Sequence, residues 1–133
     1  MTKSIDELLQ ENYWIIDILP KQVPKDSAGQ YFAIEEYFLK EPQLSVVKEK
    51  HLSLLLKLNC YLDFLFEEEQ VCNPKPEQMA AWVRERYLNI RVKDSLLVSQ
   101  PDETYLVLYD PDADLLEMVR TLAAAEGLFV WQP

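Results

Sequence analysis

At 133 residues the chain is the length of one ordinary domain. Hydrophobic residues at 49% and charged residues at 27% give it the balance of a globular protein, which excludes the disordered and fibrous classes. Twenty-three acidic side chains against thirteen basic ones leave a formal net charge of −10, a field that repels phosphate backbones and anionic lipid and argues against nucleic acid or a membrane surface as partner.

The first twelve residues carry Asp6, Glu7 and Glu11 and no apolar h-region, so they are read as neither a secretory signal nor a transit peptide, and a cytoplasmic location is expected. Ser4 and Glu7 form an S-x-x-E capping box that predicts a helix from about residue 5. Residues 13–19 have strand character, in competition with an extension of that helix. Ser27 and Gln30 repeat the capping-box spacing and predict a helix near residue 28, with Tyr31, Ile34, Phe38 and Leu39 along one face. Pro42 ends that helix and starts the next, whose stripe is Leu44, Val47, His51, Leu54, Leu55 and Leu58.

Residues 59–66 are expected to be a strand. The apolar stretch 52–66 that contains them is interrupted by Lys57, Asn59 and Asp63 and is too short to span a bilayer. Cys60 and Cys72 lack C-x-x-C spacing and are expected to be free thiols, Cys60 buried as a small apolar residue. Residues 67–76 form a loop in which Glu67, Glu68 and Glu69 are solvated. Asn73 followed by Pro74 predicts a helix start, with Met79, Val83 and Tyr87 on its inner face.

Residues 90–99 follow as one strand. The segment 100–103, with Pro101 at the second turn position, joins it to a strand at 104–109 in an antiparallel hairpin. Asp110 before Pro111 predicts the last helix, striped by Leu115, Val119, Leu122 and Ala123. Gly127 closes it ahead of a terminal strand at 128–131. This order is no regular βαβ alternation. It predicts a single α+β domain over 1–133, with a mixed or antiparallel sheet of about five strands and four to five helices packed mainly on one face.

The chemistry is sparse. Two glycines and one histidine leave no way to write a glycine-rich phosphate loop, a two-histidine zinc motif or a histidine relay, so no cofactor and no metal is expected. Asp110, Asp112 and Asp114 alternate like the start of an EF-hand loop, but Leu115 and Thr121 stand where that loop needs glycine and glutamate. First-turn acids that complement the helix dipole account for them instead.

No catalytic set is assigned. The candidates are His51 as a general base and Glu35, Glu36 or Asp63 as its carboxylate, against a structural reading in which His51 bonds a backbone carbonyl or carboxylate inside the core. Glu35 and its neighbour Glu36 diverge by about 100° on a helix and share no site. Arg84, Arg86, Arg91 and Lys93 are expected to pair with the chain's own acids.

Residues 102–126 hold seven acids against Arg120 alone, a net of −6. Asp102, Glu103, Asp110, Asp112 and Asp114, with Tyr105, Tyr109 and the nearby Trp131 as aromatic anchors, are the candidate partner-binding residues. They form one docking surface if the loops fold together, and two patches if the strand separates them. The leading expectation is a non-enzymatic protein-interaction or regulatory module, adaptor-, inhibitor- or immunity-like, for a basic protein partner. The alternative is a small-molecule-binding domain, or a hydrolase or isomerase using His51 with a carboxylate. A third reading is a homo-oligomer whose aromatic face is its own interface.

Overall fold

The computed structural model describes residues 3–26 and 29–133. In chain order the elements are α1 (Ile5–Leu8), β1 (Tyr13–Asp17), α2 (Gln30–Leu39), α3 (Gln43–Asn59), β2 (Phe64–Phe66), β3 (Val71–Cys72), α4 (Pro76–Glu85), β4 (Leu88–Val92), β5 (Ser95–Ser99), β6 (Leu106–Tyr109), α5 (Ala113–Ala125) and β7 (Phe129–Trp131). The strands form one sheet in the order β3-β2-β4-β5-β6-β1-β7, with every neighbour antiparallel. The α+β class and the hairpin through residues 100–103 are therefore as expected, whereas the sheet has seven strands and not five. Among the described residues no helix is long and apolar enough to cross a membrane.

Local chemistry explains each boundary. Ser4 makes the expected capping box with Glu7. The second box rests on Ser27, which lies outside the described residues; α2 instead has Gly29 at its N-cap, with φ 81°. The stretch 90–99 splits into β4 and β5 because Lys93, at φ 55°, turns the chain without the Gly or Asn that usually announces a tight hairpin. Both strands are buried on both faces, so no alternation marked the break.

The 59–66 strand shortens to β2, because α3 runs on to Asn59. Cys60 at its C-cap is exposed, not buried. Strand β3 was hidden in the acidic loop, where Gln70 at φ 55° reverses the chain.

Two helix starts also move downstream. Asn73 has φ 50° and spends its side chain on the sheet end: Oδ1 accepts from the Phe64 amide at 2.8 Å and Nδ2 donates to Asp63 at 2.9 Å. Helix α4 accordingly begins at Pro76, and Tyr87 falls beyond its end, exposed. Asp110, at φ 54°, leaves the sheet by donating its amide to the Asn12 carbonyl, and Asp112 caps α5 through the Leu115 amide at 2.8 Å. At the other end of α5, Gly127 at φ 76° lets Leu128 N–H reach the Ala123 carbonyl, the Schellman closure.

One sheet face carries the main core. Leu54, Leu55 and Leu58 of α3, Met79, Trp82 and Val83 of α4, and Leu115, Val119 and Ala123 of α5 pack on Ile16, Phe64, Phe66, Ile90, Leu97, Leu106 and Leu108. Each fully buried leucine there contributes about 2 kcal/mol. The other face is covered only in part: Leu8 of α1 sits with Leu96, Val98 and Val107, leaving the β6-β1-β7 end under a different cover.

Candidate binding cleft

Strand alternation puts Tyr13, Ile15 and Asp17 of β1 on the sheet face away from the three long helices. The register sets Tyr109 beside Tyr13, Val107 and Trp131 beside Ile15, and Phe129 beside Asp17; Tyr105, one residue before β6, carries the row to the Asp17 end. The segment 19–25, stiffened by Pro20 and Pro24, and the first turn of α2 form the opposite wall. Between them lies a cleft of about 520 Å³, lined on the sheet side by Tyr13, Ile15, Asp17, Tyr105, Val107, Tyr109 and Trp131 and on the other by Lys21, Gln22, Lys25, Tyr31 and Phe32. From Tyr13 to Asp17 its floor runs roughly 13 Å at about 3.3 Å per strand residue. The volume lies within the roughly 300–1,000 Å³ of pockets that hold small ligands.

The two ends differ. Tyr13 and Tyr109 stack at 5.6 Å between centroids, tilted at 42°. At the far end Asp17 is half-buried. Its Oδ1 accepts from the Ile18 amide at 2.7 Å, and among the described residues it pairs with no Lys or Arg. Burial holds its carboxyl above the usual aspartate range. The Ile18 and Leu19 amides pull it back, and the charge of Glu35 adds to the rise. The indole Nε1 of Trp131 is buried without a well-formed hydrogen bond, yet lies near enough to Asp17 to favour its charged form.

Tyr31 donates its hydroxyl to Glu35 at 2.9 Å. Burial, with Glu35 as acceptor, pushes its pKa up to about 12. Burial likewise raises Tyr105 and Tyr109. Lys21 and Lys25 stand exposed on the rim and form no ion pair among the described residues. Helix α2 beside the cleft contains no buried residue although most of its side chains are apolar: Phe32 is 68% exposed, and Ile34 and Tyr37 are exposed as well.

His51 is elsewhere. It is fully buried on the inner face of α3, with Nε2 3.2 Å from the Thr104 carbonyl and Nδ1 3.5 Å from Lys48 Nζ. Burial first, and the Lys48 charge second, lower its pKa to about 3. Nε2 is therefore the protonated nitrogen of a neutral ring. No carboxylate is among its partners: Glu35 is bonded to Tyr31, and Asp63 to Asn73 at the end of β2. The three candidate catalytic residues are thus in three places.

Lys48, 1% exposed, donates to the Gln100 carbonyl. One turn of α3 therefore pins both ends of the β5–β6 loop.

The acid-rich third is divided by β6. Asp102 and Glu103 precede the strand; Asp110, Asp112 and Asp114 follow it. Asp110 pairs with Lys3 at 2.9 Å and Asp112 with Lys93 at 2.6 Å. Tyr105 and Tyr109 leave these acids and line the cleft.

The basic cluster is spent as expected. Arg84 lies by Glu41 and Glu49, Arg86 by Glu69 at 3.1 Å, and Arg91 by Glu67. Two of the three loop glutamates are therefore tied down, not solvated. Among the described residues no group of three His, Cys, Asp or Glu side chains is placed to hold a metal.

Sequence reasoning passed over Asp17 and the 19–25 wall, and it named Trp131 only as an aromatic anchor beside the acidic segment. The alternation Tyr-x-Ile-x-Asp at 13–17, matched by Tyr-x-Val-x-Tyr at 105–109, was the available signal. No family model, curated protein or solved structure matches the chain.

Proposed function

We propose that the protein is a binding module whose working surface is the aromatic cleft on the β6-β1-β7 end of the sheet. The observation that carries this reading is a trough of about 520 Å³ walled by Tyr13, Tyr31, Phe32, Tyr105, Tyr109 and Trp131, with the polar groups of Asp17, Lys21, Gln22 and Lys25 set among the rings. Apolar walls with a small number of placed polar groups bind and orient small organic ligands. The separation of His51, Glu35 and Asp63 favours binding over acid–base turnover.

Titration with small aromatic compounds, followed by the indole N–H resonances, tests the proposal. Trp131 lines the cleft, whereas Trp14 faces the helices under Arg120 and Trp82 belongs to α4, so the three report separately. Saturable movement of Trp131 alone is expected; equal movement of all three, or none, contradicts the cleft.

A protein partner is the second reading, and the apolar exposure of α2 favours it. Such a partner would cover Phe32 and Tyr37. Replacing both with serine would then abolish its capture without unfolding the chain. Capture that survives the double replacement counts against this surface.

A further inference from the structure

The cleft is not electrically uniform, and its asymmetry points to a class of ligand. Asp17 is the carboxylate of the floor, at the end of β1, and no cationic side chain among the described residues answers it. Lys21 and Lys25 are on the covering segment, exposed at the rim.

Tyr31 and Tyr105 line the same end of the cleft as Asp17, and aromatic rings attract a cation; farther along the trough Ile15 and Val107 offer an apolar floor. The Ile18 and Leu19 amides bond the Asp17 carboxylate but leave its charge unneutralised at a half-buried position, where that is costly. A cation brought by the ligand would restore the balance, and the ring faces would add to it. Glu35 and Glu103 bear on Tyr105 at that end and the whole chain carries −10, while the two cations of the cleft, Lys21 and Lys25, stand exposed on the covering segment.

From this geometry we infer that the cleft takes an organic amine: an ammonium seated on Asp17 between Tyr31 and Tyr105, with an apolar or aromatic body lying along Ile15 and Val107 toward Tyr13 and Tyr109. An alkyl or aralkyl amine of up to roughly 13 Å fits the length of the floor. An anion is the wrong ligand for that end, since it would meet Asp17 at the floor. The inference rests on the cleft being a binding site at all.

The experiment uses the intact chain and three probes of one size: 2-phenylethylamine, the neutral 2-phenylethanol and the anionic phenylacetate, each titrated against the Trp131 resonance. The amine binds about tenfold tighter than the alcohol, the order expected for one charge-assisted contact with aromatic support. Phenylacetate binds weakest. The preference shrinks in about 0.5 M salt, as exposed-end electrostatics do.

In Asp17→Asn the amine loses its roughly tenfold advantage over the alcohol, as removal of a charge-specific contact requires. Alcohol binding without any amine preference in the unmodified protein overturns the inference and leaves the cleft reading standing. An indole unmoved by all three probes overturns both. The comparison among probes needs no variant, so it holds even if Asp17→Asn folds poorly.

Discussion

His51 is buried neutral, and a histidine held that way must make stability depend on acid. Its folded pKa is about 3 against an unfolded value of 6.5, lowered by burial and by Lys48. Between those values the unfolded chain binds a proton that the folded chain refuses. The contribution is therefore whole above pH 6.5 and is lost as pH falls toward 3. From pH 7 to pH 4 this single group removes about 3 kcal/mol, a large part of the 5–15 kcal/mol typical of a domain.

The perturbation is His51→Gln, whose amide retains a donor for the Thr104 carbonyl but does not titrate. Urea unfolding of both proteins at pH 7 and pH 4 reads the effect as a difference of differences. Asp17 and Glu103, both raised by burial, work the other way, favouring the folded state as acid is added, and are common to the two proteins. The unmodified chain should lose about 3 kcal/mol more than the variant over that interval. Equal losses would mean that His51 is hydrated or charged in the folded state, and the burial argument would fail.

Lys48 gives the alkaline counterpart. Burial lowers its pKa to about 8, so stability should rise by about 2 kcal/mol from pH 7 to pH 10 as the folded chain sheds its proton first, and Lys48→Met should flatten that rise in the same urea assay. Asp112→Ala should cost about 1 kcal/mol as the loss of a helix cap, measured by thermal unfolding, while Asp110→Asn, which tolerates the φ of 54° and removes only a half-exposed ion pair, should cost roughly half that or less. Asn73→Ala removes the acceptor of the Phe64 amide and the donor to Asp63. A loss of about 2 kcal/mol is expected, with early hydrogen exchange at the β2–β3 end.

The elements that could be read from sequence are those whose chemistry is local. The capping box at Ser4, the proline at the α2–α3 junction, the stripes of α3 and α5 and the glycine after α5 each need only residues within a few positions of one another. The two misread helix starts share one cause, a long-range partner claiming a residue that local rules assigned to a cap. Asn73 closes the β2–β3 end in place of capping a helix at Pro74, and Asp110 turns out of the sheet toward Asn12 and Lys3, which leaves the cap to Asp112. The β4–β5 turn was invisible for a different reason. Strands buried on both faces have no polar phase, and a Lys-Asp turn carries no compositional mark.

The cleft was half legible, and the missing half explains why charge was the weaker guide. Tyr105 and Tyr109 were found as aromatic residues beside an acidic run, but sequence proximity tied them to Asp102 and Asp110, whereas the two-residue period of β6 turns them toward β1. Only antiparallel pairing across more than ninety positions brings Asp17 level with Phe129, and Ile15 level with both Val107 and Trp131. The acidity is divided by β6 into two groups, and Lys3 and Lys93 pair with two of the acids. A single carboxylate without a counterion, set among rings, says more about recognition than a net charge of −10 distributed over the surface. The first is a local demand that a ligand must satisfy; the second sets only the sign of what approaches.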